Sequence, residues 1–125
     1  MNYELTLHDT PKSLNPTMGG GWDGIPWPYI KAKKKWEGMF QIALMQHAVP
    51  RHQALVIASA ELTFPQKRKR DEGNFRFMLE KALGDTLVAG GWLEDDTPDS
   101  YRFERVTFNE ERGDPLTIVT LEVTP

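Results

Sequence analysis

Apolar positions along the chain switch between a period of two and a period near three and a half, and the switches divide it into six elements. Residues 2–8 alternate, with Tyr3, Leu5 and Leu7 set against Asn2, Glu4 and Thr6, which predicts a half-buried strand. Pro11, Pro16, Gly19-Gly20-Gly21, Pro26 and Pro28 then predict a long loop. The glycine triplet lacks the lysine and serine or threonine of a phosphate-binding P-loop. From Tyr29 to Ala48 the residues Tyr29, Trp36, Phe40, Ala43, Leu44 and His47 recur at helical spacing, and Pro50 ends the helix. Residues 53–64 are apolar and β-branched between two prolines, the pattern of a buried strand. Asn74 to Ala89 predicts a second helix, with Phe75, Leu79, Ala82, Leu83 and Leu87 on its apolar side and Gly90-Gly91 as its stop. Tyr101–Phe108 and Leu116–Val123 are strand candidates. The turn Glu111-Arg112-Gly113-Asp114 between them predicts that they pair as a hairpin.

This order, β-α-β-α-β-β, implies a single α+β domain over residues 1–125, with two main helices packed on a four-stranded mixed sheet. No apolar run is long enough to span a bilayer, and the first residues read as a strand rather than a signal peptide. Cysteine is absent, which excludes disulfides, cysteine–zinc sites and thiol nucleophiles and suits a cytoplasmic setting. His8, His47 and His52 have no metal-motif spacing.

Charge changes the picture more than composition does. Residues 1–70 carry ten Lys and Arg against five Asp and Glu, a net of +5; residues 71–125 carry five against thirteen, a net of −8. The switch is sharpest where Lys67-Arg68-Lys69-Arg70 meets Asp71-Glu72. One reading is a solvated, self-neutralising turn; another is a phosphate-binding surface beside carboxylates. Lys31, Lys33, Lys34 and Lys35 on the first helix allow the same two readings. On the second helix Asn74, Lys81 and Asp85 fall within roughly 40° of one another on one stripe. Asp71 precedes that helix, where the unpaired N–H groups and the dipole favour a carboxylate. Glu94-Asp95-Asp96 follows it. Asp71, Asp85 and one of Asp95 or Asp96 would together offer oxygen ligands to a hard cation such as magnesium. A metal that activates water, with cations holding the backbone, is what phosphodiester hydrolysis needs.

The run Phe64-Pro65-Gln66-Lys67-Arg68-Lys69-Arg70-Asp71-Glu72-Gly73-Asn74, then Lys81, Asp85-Thr86-Leu87 and Gly91-Trp92-Leu93-Glu94-Asp95-Asp96, resembles the RusA family of Holliday junction resolvases, many of them phage or prophage encoded. Pro11-Lys12-Ser13-Leu14-Asn15 after the first strand agrees with it. The resemblance implies a homodimeric endonuclease that nicks four-way DNA junctions with Mg2+ or Mn2+, without an organic cofactor, in a bacterial host cell. By position it implies catalytic roles for Asp71, Lys81 and Asp95 or Asp96. It implies metal ligation by Asp71, Glu72, Asp85, Asp95 and Asp96. DNA contacts would fall to Asn15, Lys33, Lys34, Lys67, Arg68, Lys69, Arg70 and Asn74. Two features depart from the family pattern: Gly73 stands where a second aspartate is expected, and Lys81 lies one helical turn further from Asn74. Two other classes compete with the nuclease, a branched- or duplex-DNA-binding protein that does not cut, and a protein-interaction module with an acidic carboxy-terminal half.

Overall fold

A computed structural model of the chain describes residues 1–13 and 27–125. The glycine triplet and Asn15 therefore lie outside the described residues. Strand β1 covers Asn2–Leu7, helix α1 Trp27–Gln46, strand β2 Leu55–Thr63, helix α2 Gly73–Ala89, strand β3 Tyr101–Phe108 and strand β4 Leu116–Thr124. Each element lies where the apolar period placed it, with ends moved by one or two residues. Helix α1 starts earlier than Tyr29 because a proline is tolerated in a first turn, where its missing N–H has no partner to lose, and Pro28 sits there.

The sheet order is β1-β4-β2-β3. β4 runs antiparallel to both β1 and β2, and β3 runs parallel to β2. The expected β3–β4 hairpin is thus absent: the two strands lie on opposite sides of β2. The reason is visible in β2, whose apolar run must be covered along both edges. Helix α2 leads directly from β2 into a parallel neighbour, as crossover helices do, and takes one edge. Residues 109–115 then step across the end of β2 and deliver β4 to the other edge, with Asn109 N donating to Leu62 O at 2.8 Å and Gly113 N to Phe64 O at 3.1 Å.

Both helices cover one face of the sheet. Val56, Ala58, Ala60 and Leu62 of β2, with Val119, Leu121 and Val123 of β4, are buried beneath Trp36, Phe40 and Leu44 of α1 and Leu79, Leu83 and Leu87 of α2. The opposite face carries exposed Glu4, Glu61, Arg105, Thr107 and Thr120, the alternation expected of a sheet with one wet side. No helix among the described residues is long and apolar enough to cross a membrane.

Two consequences position the site. Because β1, β2 and β3 all run the same way, their carboxy-terminal ends meet at one edge of the sheet, where α1 and α2 both begin. Helix α2 then runs the depth of the domain, 17 residues or about 25 Å, to the opposite edge.

Candidate nucleic-acid interface

At the shared carboxy-terminal edge the loop after β1 and the loop between β2 and α2 enclose a cleft of about 600 Å³, lined by Asp9, Lys12, Phe64, Arg68, Lys69, Arg70, Asp71 and Asn74 among others. A second hollow of about 420 Å³ adjoins it, sharing Asp9, Thr10 and Lys12 and adding Lys31 and Lys35 from α1. Crevices outside the carboxyl ends of parallel strands are where open α/β sheets bind ligands. Here the helix starts add the positive ends of two dipoles to a wall of lysines and arginines.

The basic loop is not a loose tail. Arg70 is fixed by its guanidinium lying 3.7 Å over the Phe64 ring and by bonds donated to Gln66 O (3.0 Å) and Arg68 O (3.3 Å). Loss of solvent, with Arg68 beside it, holds its pKa below the usual arginine value. Phe64 in turn packs on Phe75, centroids 5.4 Å apart, and Phe75 on Phe108 at 5.8 Å. Arg70 therefore organises the loop and leaves Lys67, Arg68 and Lys69 exposed.

Asp71 turns the chain into α2. Its Oδ1 accepts from Gly73 N at 3.0 Å, and its carbonyl accepts from Asn74 N at 3.2 Å. Glu72 faces away from the cleft: its Oε1 accepts from Val106 N at 3.1 Å and lies 3.5 Å from Arg76, which ties the helix start to β3. Asp9, across the cleft, pairs with Lys35 and caps Thr10 N at 2.8 Å.

The remaining sequence-predicted residues lie elsewhere. Asp85 is held between the helices, 2.5 Å from Lys33 and 3.6 Å from Lys81. The hydrogen bond that Lys33 donates to the Asp85 carboxylate is the main cause of its raised pKa. Lys34 borders a groove between the carboxy-terminal halves of the helices, with Glu37, Thr86 and Trp92. Lys81 and Asp96 line a hollow of about 430 Å³ on the β3 flank of α2, with Phe77, Glu80 and Arg102. Asp95 turns back to accept from Asp96 N at 2.8 Å.

The five carboxylates expected to hold a divalent cation thus fall into three places: Asp71 and Glu72 at the start of α2, Asp85 in an interhelical ion pair, and Asp95 and Asp96 in the segment after the helix, with Asp96 turned back beside Lys81 on the β3 flank. Among the described residues, no group of three or more such side chains could hold a metal ion. The expected donor set is not gathered at one place: Asp85 is tied to Lys33, and Asp71 and Asp96 border different hollows. Lys33 and Lys34 likewise stand off the cleft, and Lys31 and Lys35 line the adjoining hollow instead.

Sequence reading missed Asp9, Lys12 and the choice among the α1 lysines, and the last was available in the helical period. Counted at 100° per residue, Lys33 falls inside the Tyr29–Trp36–Phe40 stripe, whereas Lys31 and Lys35 share the far side within roughly 40°. No known protein family matches the chain, and no curated protein matches it either.

Proposed function

We propose that this protein is a structure-selective endodeoxyribonuclease of the RusA type, acting on four-way DNA junctions and gripping their phosphodiester backbone in the carboxy-terminal-edge cleft. The observation that carries the reading is the cleft itself, in which Lys12, Arg68 and Lys69 surround Asp71 and Asn74 at a helix start. Exposed cations lining one cleft suit the phosphates of a nucleic-acid backbone and give salt-dependent affinity. On this reading the protein works in the cytoplasm of a bacterial host, encoded by a phage or prophage, as a homodimer with Mg2+ or Mn2+.

Purified protein incubated with a labelled four-way junction and magnesium should nick it, and Asp71→Asn should abolish the nicking while leaving junction binding within a few-fold. Failure to cut any branched substrate in magnesium or manganese would overturn the catalytic part.

A second reading, a branched-DNA-binding protein without cleavage, is favoured by Gly73, where the resemblance leads one to expect an aspartate. An aspartate is not excluded there by space, since a Cβ at Gly73 would meet only Asp71 Oδ1 at 3.6 Å. This reading expects tight junction binding that is indifferent to metal.

A further inference from the structure

Asp9 stands between the two hollows of the carboxy-terminal edge and lines both, as Thr10 and Lys12 do. The backbone fixes it there. Its N–H donates to Leu7 O at 2.9 Å, its carbonyl accepts from the hydroxyl of buried Thr117 at 2.7 Å, and its Oδ1 accepts from Thr10 N at 2.8 Å. Its Oδ2 pairs with Lys35 of α1, whose side chain is 60% exposed. A rigid carboxylate thus sits inside a surface of cations, where it opposes the binding of any anion.

The hollow on the α1 side is otherwise suited to one. Lys31 and Lys35, four residues apart, line it from one face of α1, and Lys12 lines it from the loop after β1. Pro28, Ala32 and buried Trp36 supply an apolar wall. Three ammonium groups face one carboxylate, and among the described residues neither Lys12 nor Lys31 pairs with an acid. Lys12 borders the cleft as well, so a chain of phosphates can pass from one hollow into the other without leaving the cations.

We propose that this hollow is a second phosphate subsite whose gate is Asp9: the carboxylate holds Lys35 until a backbone phosphate takes its place. An ion pair as exposed as this one holds weakly and exchanges partners readily. A free anion must displace the carboxylate unaided. A strand already held by Arg68 and Lys69 brings its next phosphate at a high effective concentration, so the gate favours polyanions over single anions. The inference deepens the proposed function, on which the strand's identity as DNA rests, by extending the grip from the cleft onto α1.

Two titrations test it. With the cleft residues intact, Lys31→Gln combined with Lys35→Gln should flatten the slope of log DNA affinity against log salt by about one for each lost phosphate contact. Asp9→Asn keeps an acceptor for Thr10 N and removes the charge, so it should raise DNA affinity roughly ten-fold at low salt. Asp99→Asn makes the same change in net charge before β3, at the opposite edge of the sheet, and should alter affinity less than about two-fold. An unchanged slope, or equal gains from Asp9→Asn and Asp99→Asn, overturns the subsite.

Inorganic phosphate, followed through backbone amide chemical shifts, reads the gate without DNA. The amides of Thr10, Lys31 and Lys35 should shift, and Asp9→Asn should saturate at roughly a tenth of the concentration the parent needs. Shifts confined to Lys69 and Asn74, or the same concentration dependence in both proteins, overturn the gate. Shifts at Lys31 and Lys35 in a protein that binds no DNA would instead overturn the proposed function and leave the gated anion site standing.

Discussion

The two ends of α2 are built in opposite ways. At its carboxy-terminal end the chain is locked: Trp92 is buried, its N–H accepted by Leu87 O at 2.8 Å and its indole N–H by Val49 O at 2.9 Å. Arg51 lies 4.4 Å over the indole ring and donates to Gly90 O. Gly91 takes a positive φ of 78° to make the turn, and a Cβ at Gly90 would come within 2.1 Å of the Trp92 ring. At its amino-terminal end the capping residue Glu72 makes no side-chain bond to the helix backbone, and the preceding loop exposes three cations. The difference separates two jobs. The locked end holds the crossover together, and the open end, whose first N–H groups are taken up by Asp71 and Glu72, presents exposed positive charge.

The strongest way to break this division is at the locked end. Trp92→Ala removes the largest fully buried side chain together with its buried hydrogen bond, and should cost about 3–5 kcal/mol. Thermal unfolding by circular dichroism should show a melting point lower by roughly 10–20 °C. A loss under about 1 kcal/mol would mean that this end is not where the fold is held.

Neutralising the open end should do the reverse. Lys12→Gln, Arg68→Gln and Lys69→Gln combined should leave the melting point within about 2 °C, since all three are exposed. Affinity for junction or duplex DNA should fall at least roughly ten-fold, and the slope of log affinity against log salt should flatten by about one per lost phosphate contact. Fluorescence anisotropy across a salt series measures both quantities. Unchanged binding would remove the cleft from the interface. Arg70 is left out of the set because its stacking on Phe64 makes it part of the scaffold.

The same division explains what could be read from the sequence. The locked end was legible as Gly90-Gly91-Trp92, because a helix stop and a large aromatic are local signals. The elements were legible for the same reason. Strand order was not: a turn signal between β3 and β4 says only that the chain reverses, and seven residues are enough to step over the end of β2. The cleft was half legible. Lys67 to Arg70 and Asp71 stand out as a charge step, but Asp9 and Lys12 join them only because β1 ends at the same edge as β2. Asn74, Lys81 and Asp85 share one stripe, yet Asn74 borders the cleft while Lys81 and Asp85 pair two to three turns further along α2. Angle is periodic in the sequence and axial distance is not.

Between the two ends Tyr101 fastens the middle of α2 to the sheet. It is buried, its ring packs where a Cβ on Gly84 would come within 2.8 Å of it, and its hydroxyl donates to Glu80 O at 2.7 Å. Burial, reinforced by Glu80, pushes its pKa well above the usual phenol value of 10.0. A group whose pKa is raised on folding keeps its proton in the native state after the unfolded chain has lost it, so stability is unaffected below pH 10 and falls as pH rises beyond it. Tyr101→Phe forfeits one hydrogen bond, about 1 kcal/mol at neutral pH. It should in exchange flatten the alkaline limb, so that the variant and the parent converge between pH 10 and 11 in urea titrations. A variant that loses stability in parallel with the parent over that interval would show that the alkaline sensitivity comes from elsewhere, the Lys33–Asp85 pair being the next candidate. That pair's raised Lys33 pKa predicts a loss of the same sign, starting near the usual lysine value of 10.5. The two sources separate because Lys33→Met, unlike Tyr101→Phe, leaves the phenol's share of the limb in place.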